Sequence, residues 1–451
     1  MEGPVESDQG TPTGNWRSDA PIASLPEVFR TIAVPKGGPA WRRLFAFIGP
    51  GYLIAVGYMD PGNWATDIEG GARFSYLLLS VIVMSSLLAM FLQALSAKLG
   101  IVTGRDLAQA CRDAYPKPVS VALWVSAEIA IVACDLAEVI GAAIALNLLF
   151  GIPYWAGVAL TGLDVLIVLG LQSKGFRWLE ILVITLIATM MVIFGIEVFF
   201  AKPDWHAVLV GMVPSPSILT NFDKLYLALG ILGATVMPHN LYLHSSIIQT
   251  RKYGRSREEL KDTIKMATID STVALCLAFL VNAAILIVAA AVFFKAGHHE
   301  VAKMKDAYRL ISPLVGASIA APLFAIALLA SGQNSTLTGT LAGQIVMEGF
   351  VSIRLKPWLR RMISRVLALL PALWAVWKYG ENGLESLMLF SQVVLSAQLS
   401  FAVVPLIQFT SDKDKMGEFA NSKLTRAIGW SMAFVIAALN TYLVYAMIQR
   451  A

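Results

Sequence analysis

Two four-residue stretches carry side chains able to grip a cation: Asp60-Pro61-Gly62-Asn63 and Met237-Pro238-His239-Asn240. Each lies inside a long apolar run that would otherwise read as one membrane-crossing helix. Proline lacks the backbone N–H and clashes with the turn before it, so both helices are predicted to open there. Carbonyls released at membrane depth persist only where protein buries them or they line a wet cavity. Aligned, the stretches share the frame x-Pro-x-Asn, with Asp60 opposite Met237. A carboxylate, the Asn63 and Asn240 carboxamides, a thioether and freed carbonyls together predict a metal site. Hard oxygens alone suit magnesium, calcium or manganese, and a thioether tilts selection toward softer transition metals. A simpler reading makes Asp60 and the asparagines caps of the second half-helices and Met237 a packing residue. Against it, an aspartate at mid-membrane costs roughly 2.5–3.5 kcal/mol, so it is expected to face a partner, water or an ion.

Proton-bearing groups lie nearby in the sequence. Glu128, Asp135 and Glu138 are spaced 7 and 3 apart, which puts three carboxylates on one helix face. They form either a proton relay, with Arg251, Arg360 or Arg361 keeping one of them charged, or a static ion-pair cluster. His239 and His244 point about 140° apart on a helix, which excludes a joint zinc pair. Singly, each is a hydrogen-bonded helix residue or a proton acceptor. His298-His299-Glu300 lacks the spacing of a zinc peptidase and reads as a solvated loop. The three cysteines (Cys111, Cys134, Cys276) form no CxxC pair, so neither a disulfide framework nor a zinc site is indicated.

The scaffold that must hold these groups is a membrane bundle. Of 451 residues, 57% are hydrophobic and 14% charged, against about 25% charged in soluble domains. Eleven candidate spans divide the chain into a cytoplasmic N-terminal tail (1–43, read as mobile), a first five-helix unit (44–201) and an outer loop (202–224). A second five-helix unit (225–410) and an inner loop with an eleventh helix (411–451) complete it. Roughly three-quarters of the 35 Lys and Arg fall on one side, placing the N-terminus in the cytoplasm and the C-terminus outside. The basic loop 251–265 reads as a topology anchor rather than a nucleic-acid site. Asp164, inside span 4, has no partner that can be named. The eighth span sits in 37 uncharged residues, Ile311 to Met347, which as one helix would run about 56 Å through a core of about 30 Å. Pro61 and Pro238 lie 177 residues apart, one in each unit. Because five is odd, the second unit starts on the opposite side, giving an inverted repeat whose paired broken helices mark the binding site.

On Asp60-Pro-Gly-Asn63, Ala234-Thr-Val-Met-Pro-His-Asn240 and Gly332-Gln-Asn-Ser-Thr-Leu-Thr-Gly-Thr-Leu-Ala-Gly-Gln-Ile-Val-Met-Glu-Gly-Phe350, the chain resembles the Nramp family (natural resistance-associated macrophage proteins) of proton-coupled divalent-metal transporters. The likeness runs over about 44–449. It implies an all-α membrane protein of LeuT-like fold, five plus five helices with one more at the C-terminus, helices 1 and 6 unwound at mid-membrane. It also implies metal ligation by Asp60, Asn63, Met237 and the Ala234 carbonyl, a carbonyl at Gly57 where Ala is expected in many relatives, and Gln392 in some conformations. Asp60 would share proton and metal, with His239, Asp135 and Glu138 on the inward route and Glu128–Arg361 as a supporting ion pair. The implied function is import of manganese(II) or iron(II) with protons by alternating access. The metal is substrate, no cofactor is permanently bound, and no protein partner is required. Short termini and no outer N-x-Ser/Thr sequon favour a bacterial inner membrane. The rival is a cation-coupled carrier of amino acids or other organic solutes on the same fold, and an enzyme is not expected.

Overall fold

The computed structural model describes residues 24–25, 28–35, 39–163, 176–299, 304–353 and 355–449. It is a helical membrane bundle built on an inverted repeat. The first span is two half-helices, α1 aside: α1 (Ala40–Phe47) lies before it, then α2 (Pro50–Gly57) and α3 (Pro61–Phe74) carry the chain across. Next come α4 (Leu79–Thr103), the short α5 (Leu107–Ala114), α6 (Lys117–Phe150), α7 (Tyr154–Leu160) and α8 (Phe176–Ala201). After α9 (Trp205–Gly211), the second repeat opens with another split pair, α10 (Phe222–Thr235) and α11 (Pro238–Ile247). It continues through α12 (Arg257–Ala289), α13 (Met304–Val315), α14 (Ala320–Val351), α15 (Pro357–Tyr379) and α16 (Glu381–Ser411), and α17 (Lys423–Ile448) is the added helix. The short α5, between the second and third spans, has its repeat counterpart in α13, between the seventh and eighth.

Among the described residues, α4, α6, α8, α12 with its π-helical extension to Phe294, α16 and α17 are each long and apolar enough to cross a membrane. The split spans miss that measure because each half is 8 to 14 residues long. In both, Pro61 and Pro238 take the first helical position of the outgoing half, where a missing N–H costs nothing. Core packing centres on α6 against α14 and α4 against α12.

Several expectations change here. The first span breaks a second time, at Ile48–Gly49. Gly49 has φ +146°, and a Cβ there would sit 2.3 Å from the Glu180 carboxyl carbon, so only glycine fits. Its neighbour α2 has no side-chain cap of its own; Asp270 of α12 supplies one across the fold, accepting from Gly51 N (2.7 Å) and Gly49 N (3.3 Å). The long uncharged stretch 311–347 resolves into the end of α13 and the 32-residue α14, with Gly316 in a left-handed turn between them (φ +74°). The N-terminal region is not wholly a free tail. Leu25 is buried, the Ser24 hydroxyl donates to Asp106, and β1 (Ile32–Ala33) pairs in parallel with β2 (Arg251–Lys252). Arg30 ties the same segment to the Gln249 and Tyr253 carbonyls (3.0 and 2.7 Å). Asp164 and most of the second half of span 4 lie outside the described residues, as does Glu300.

Candidate metal site

The two breaks meet. Asp60 accepts from Asn63 N through Oδ1 (2.9 Å), capping α3, while its Oδ2 is buried with no hydrogen-bond partner. The capping reading of Asp60 therefore holds for one oxygen, and the other is left to spare. With its amide oriented by its neighbours, Asn63 donates to Asp60 Oδ1 (2.7 Å) and to the Ala234 carbonyl (3.2 Å), and accepts from Asn282 Nδ2 (3.2 Å). That sets the first break within hydrogen-bond reach of the second. Asn282 of α12 also donates to the Tyr58 carbonyl (2.8 Å), and Ser331 of α14 donates to the Met59 carbonyl (2.5 Å). Two of the carbonyls released by the first break are thus satisfied by neighbouring helices, as burial at membrane depth demands.

The remaining candidate ligands surround this contact. Gln392 of α16 lies against Gly62, where a Cβ would fall 2.1 Å from Gln392 Nε2, and its Oε1 has no partner. Gly57 ends α2, where last-turn carbonyls have no partner within the helix. A Cβ on Gly57 would meet Asn240 Nδ2 at 2.3 Å, so glycine at 57 leaves room for that carboxamide, whose two polar atoms are unpartnered. Met237 is the residue before α11 and packs with Ala133, Cys134 and Leu395. Pro61 rests on α6 at Gly141, where a Cβ would be 2.2 Å from Pro61 Cβ. Asp60 and Met237 are 0% exposed and Asn63 is 1% exposed, so the site is closed to both sides of the bundle. Among the described residues no three His, Cys, Asp or Glu side chains converge on one point, which leaves a mixed donor set of one carboxylate, carboxamides, carbonyls and sulfur.

Away from the breaks, Glu138 and Glu128 on the acidic face of α6 are each paired. Glu138 accepts from Ser335 Oγ (2.7 Å) and Thr336 Oγ1 (3.1 Å) of α14 and lies 3.6 Å from Arg365 Nη1. Arg365 also reaches the Asp135 carbonyl (3.4 Å). Glu128 pairs with Arg360 (2.7 Å) and accepts from Trp124 Nε1 (3.0 Å). The ion pair assigned to Arg361 by resemblance is therefore found with Arg360, and the Arg361 side chain lies outside the described residues. Arg365 went unnoticed in the sequence, although a charge one turn inside an apolar span was its signal. His239 is buried with neither ring nitrogen bonded, whereas His244 Nδ1 donates to Gln93 Oε1 (3.0 Å), and Gln93 Nε2 to Tyr58 Oη (2.7 Å). His244 is thus a hydrogen-bonded helix residue, and His239 keeps its nitrogens free.

Arg251 is a correction. It was expected near the α6 carboxylates, but it is fully buried at the start of the split span, with Nη1 2.6 Å from Glu180 of α8. Its other nitrogens donate to the carbonyls of Phe47 (3.0 Å) and Ile48 (2.8 Å). A basic loop chosen only for its charge count concealed this pairing. His299 also departs from a simple solvated loop: its ring lies edge-on to Phe294 (centroids 4.7 Å apart) and its Nδ1 is 3.4 Å from the Ala72 carbonyl.

Known proteins with this arrangement can now be compared. Residues 51–446 match the family model for Nramp, natural resistance-associated macrophage protein-like. The "Divalent metal cation transporter MntH" of Listeria welshimeri is 59% identical over 431 residues, 96% of each chain. Its namesake in Agrobacterium fabrum is 56% identical over 432 residues, covering 96% of this chain and 94% of that one. The crystal structure of a manganese transporter from Eremococcus coleocola superposes with a TM-score of 0.86 at 42% identity, over 93% of this chain and 90% of that one. Mhp1, a nucleobase-cation-symport-1 family transporter, shares the fold at 14% identity and a TM-score of 0.59. With its two opened helices meeting through Asn63 and the Ala234 carbonyl, and with relatives of this closeness along nearly its whole length, the chain belongs to the Nramp family.

Proposed function

We propose that this chain imports divalent transition-metal ions, manganese(II) and iron(II), together with protons, by alternating access across a bacterial inner membrane. The observation that carries the reading is the buried, unpartnered Oδ2 of Asp60, set where the Asn63 amide and Ala234 carbonyl meet. A lone carboxylate oxygen without a donor at membrane depth calls for a cation or a proton, and the two compete for it. Ligands are Asp60, Asn63, Met237, the Ala234 and Gly57 carbonyls, and Gln392 when its helix moves in. The metal is cargo throughout. The names carried by the relatives from Listeria and Eremococcus support the metal as substrate. An organic solute bearing a carboxylate would be repelled by Asp60, which counts against the rival reading.

The proton takes the other side of Asp60. Glu138 is within electrostatic range of Asp60, and Asp135 of His239, so a path runs from the site along α6 toward Arg365 and the Glu128–Arg360 pair. Ion ties at either end would govern access. At the end of α3, Arg73 joins Glu69 (2.7 Å) and Asp223 at the start of α10 (2.9 Å). At the start of α2, Arg251 holds the Phe47 and Ile48 carbonyls. Breaking one tie while the other holds exposes the site to one side at a time. Orientation follows the charge bias, with the N-terminus cytoplasmic and the C-terminus outside.

Purified protein in proteoliposomes with a trapped pH dye tests this. Manganese uptake should acidify the lumen, and Asp60→Ala should abolish both signals. Uptake that survives Asp60→Ala would reject the site, and uptake without acidification would reject the coupling. Inhibition by amino acids but not by cadmium would restore the organic-solute reading.

A further inference from the structure

The site has a second sulfur atom. Cys134, on α6, is 1% exposed and shares one packed cluster with Met237, Ala133 and Leu395. Its Sγ donates a weak hydrogen bond to Glu138 Oε1 (3.7 Å), four residues on along the same helix face. Glu138, Asp60 and Asp135 all lie within its electrostatic range. The thiol therefore packs beside the thioether residue of the second break, with its hydrogen bond turned toward Glu138. Cys111 is buried elsewhere, among the residues of α5, and Cys276 is exposed on α12, so neither shares this position.

A buried cysteine is most often a small hydrophobe, and packing alone would explain its burial. Two observations take Cys134 further. Its cluster mate is the residue whose softness distinguishes this site from an all-oxygen one. The break that meets the one carrying Met237 holds Asp60, whose Oδ2 is buried with no hydrogen-bond partner, a place open to a cation. A polarizable sulfur on that wall stabilises a soft cation and offers little to a hard one.

Building on the proposed metal transport, we propose that Cys134 is a specificity-determining residue, whose neutral thiol adds to Met237 in favouring thiophilic divalent cations such as cadmium(II) over manganese(II). Nothing covalent forms and no electron moves. The thiol acts through its sulfur lone pairs, and its proton stays on the bond toward Glu138.

The test is calorimetric titration of the full-length protein with manganese(II) and, separately, cadmium(II), for wild type, Cys134→Ser and Cys134→Ala. Serine replaces sulfur by oxygen in nearly the same volume, and alanine removes the donor while keeping an apolar wall. In both variants cadmium affinity should fall about tenfold while manganese affinity stays within about twofold. An unchanged cadmium-to-manganese ratio in either folded variant overturns the proposal. So does equal weakening of both metals, which marks a packing role. Wild type that binds neither metal would instead overturn the proposed function. Should serine prevent folding, the alanine variant decides alone, and Met237→Ala measured alongside gives the scale for losing one sulfur.

Discussion

Replacing Arg251 by methionine should loosen the start of α2 without disturbing the rest of the bundle. Arg251 has no exposed surface, and neither has its partner Glu180 beyond 1% of its side chain. Removing one member of a buried ion pair costs about 3–5 kcal/mol, because the other charge is left unpaired. Here Glu180 keeps Arg177 at 2.8 Å, so the lower end, about 3 kcal/mol, applies. The Phe47 carbonyl loses its Arg251 donor and the Ile48 carbonyl is left with Arg177 Nη1 alone (2.7 Å), and both belong to the bend from which α2 starts. If that energy goes into releasing α2, its open population rises about 150-fold. Amide hydrogen exchange of the peptide covering Pro50–Gly57, in nanodiscs, reads this population directly. Its exchange should accelerate by about two orders of magnitude, while peptides from α6 and α14 stay as protected as before. Exchange in α2 within about threefold of wild type would refute the tie. A uniform loss of protection would show that Arg251 serves global stability instead. Adding Glu180→Met should recover thermal stability, since an apolar pair replaces a half-broken ionic one, but not the protection of α2.

Three further outcomes are expected. Met237→Ala should retain manganese transport and admit calcium or magnesium more readily in a competition panel; unchanged selectivity would remove the thioether from the account. Asp60→Asn should keep the cap on α3, because an asparagine oxygen can accept from Asn63 N, and still lose metal-driven uptake; preserved uptake would show that the charge is dispensable. Asp106 caps α5 beneath the docked N-terminal segment, and burial pushes its carboxyl up to about 6, opposed by the Ser24 hydroxyl, the Gln109 amide and Arg112. A raised folded value means that the folded state holds the proton after the unfolded chain has released it. The stabilisation is complete below about pH 4 and is lost as pH rises to about 6. Thermal unfolding followed from pH 4 to 7 should show this decline in wild type and a flatter profile in Asp106→Asn; parallel profiles would assign the pH dependence elsewhere.

The two breaks were legible because their cause is local. A proline beside an acid or a thioether inside an apolar run has few other meanings, and both helices open at Pro61 and Pro238. The bend at Ile48–Gly49 was hidden because a Gly-Pro pair near the end of an apolar run also marks an ordinary helix start. Arg251 and Arg365 show a second limit. Charge counting treats basic residues as anchors facing water, yet both are buried on carboxylates from helices far off in sequence, Glu180 and Glu138. The docking of residues 24–25 and 28–35 was likewise invisible, since its grip is backbone pairing with β2, one buried leucine and the hydrogen bonds of Ser24 and Arg30 rather than any periodic pattern.

The divided carboxylate of Asp60 has a kinetic meaning. With Oδ1 engaged by the turn that follows it, Oδ2 is the oxygen the side chain can offer a visiting ion without sharing its cap. On the proposed reading, cargo held there would complete its shell with carbonyls and amides from the two breaks. Dwell time, on the same reading, would follow the backbone's movement together with the proton's return to Asp60.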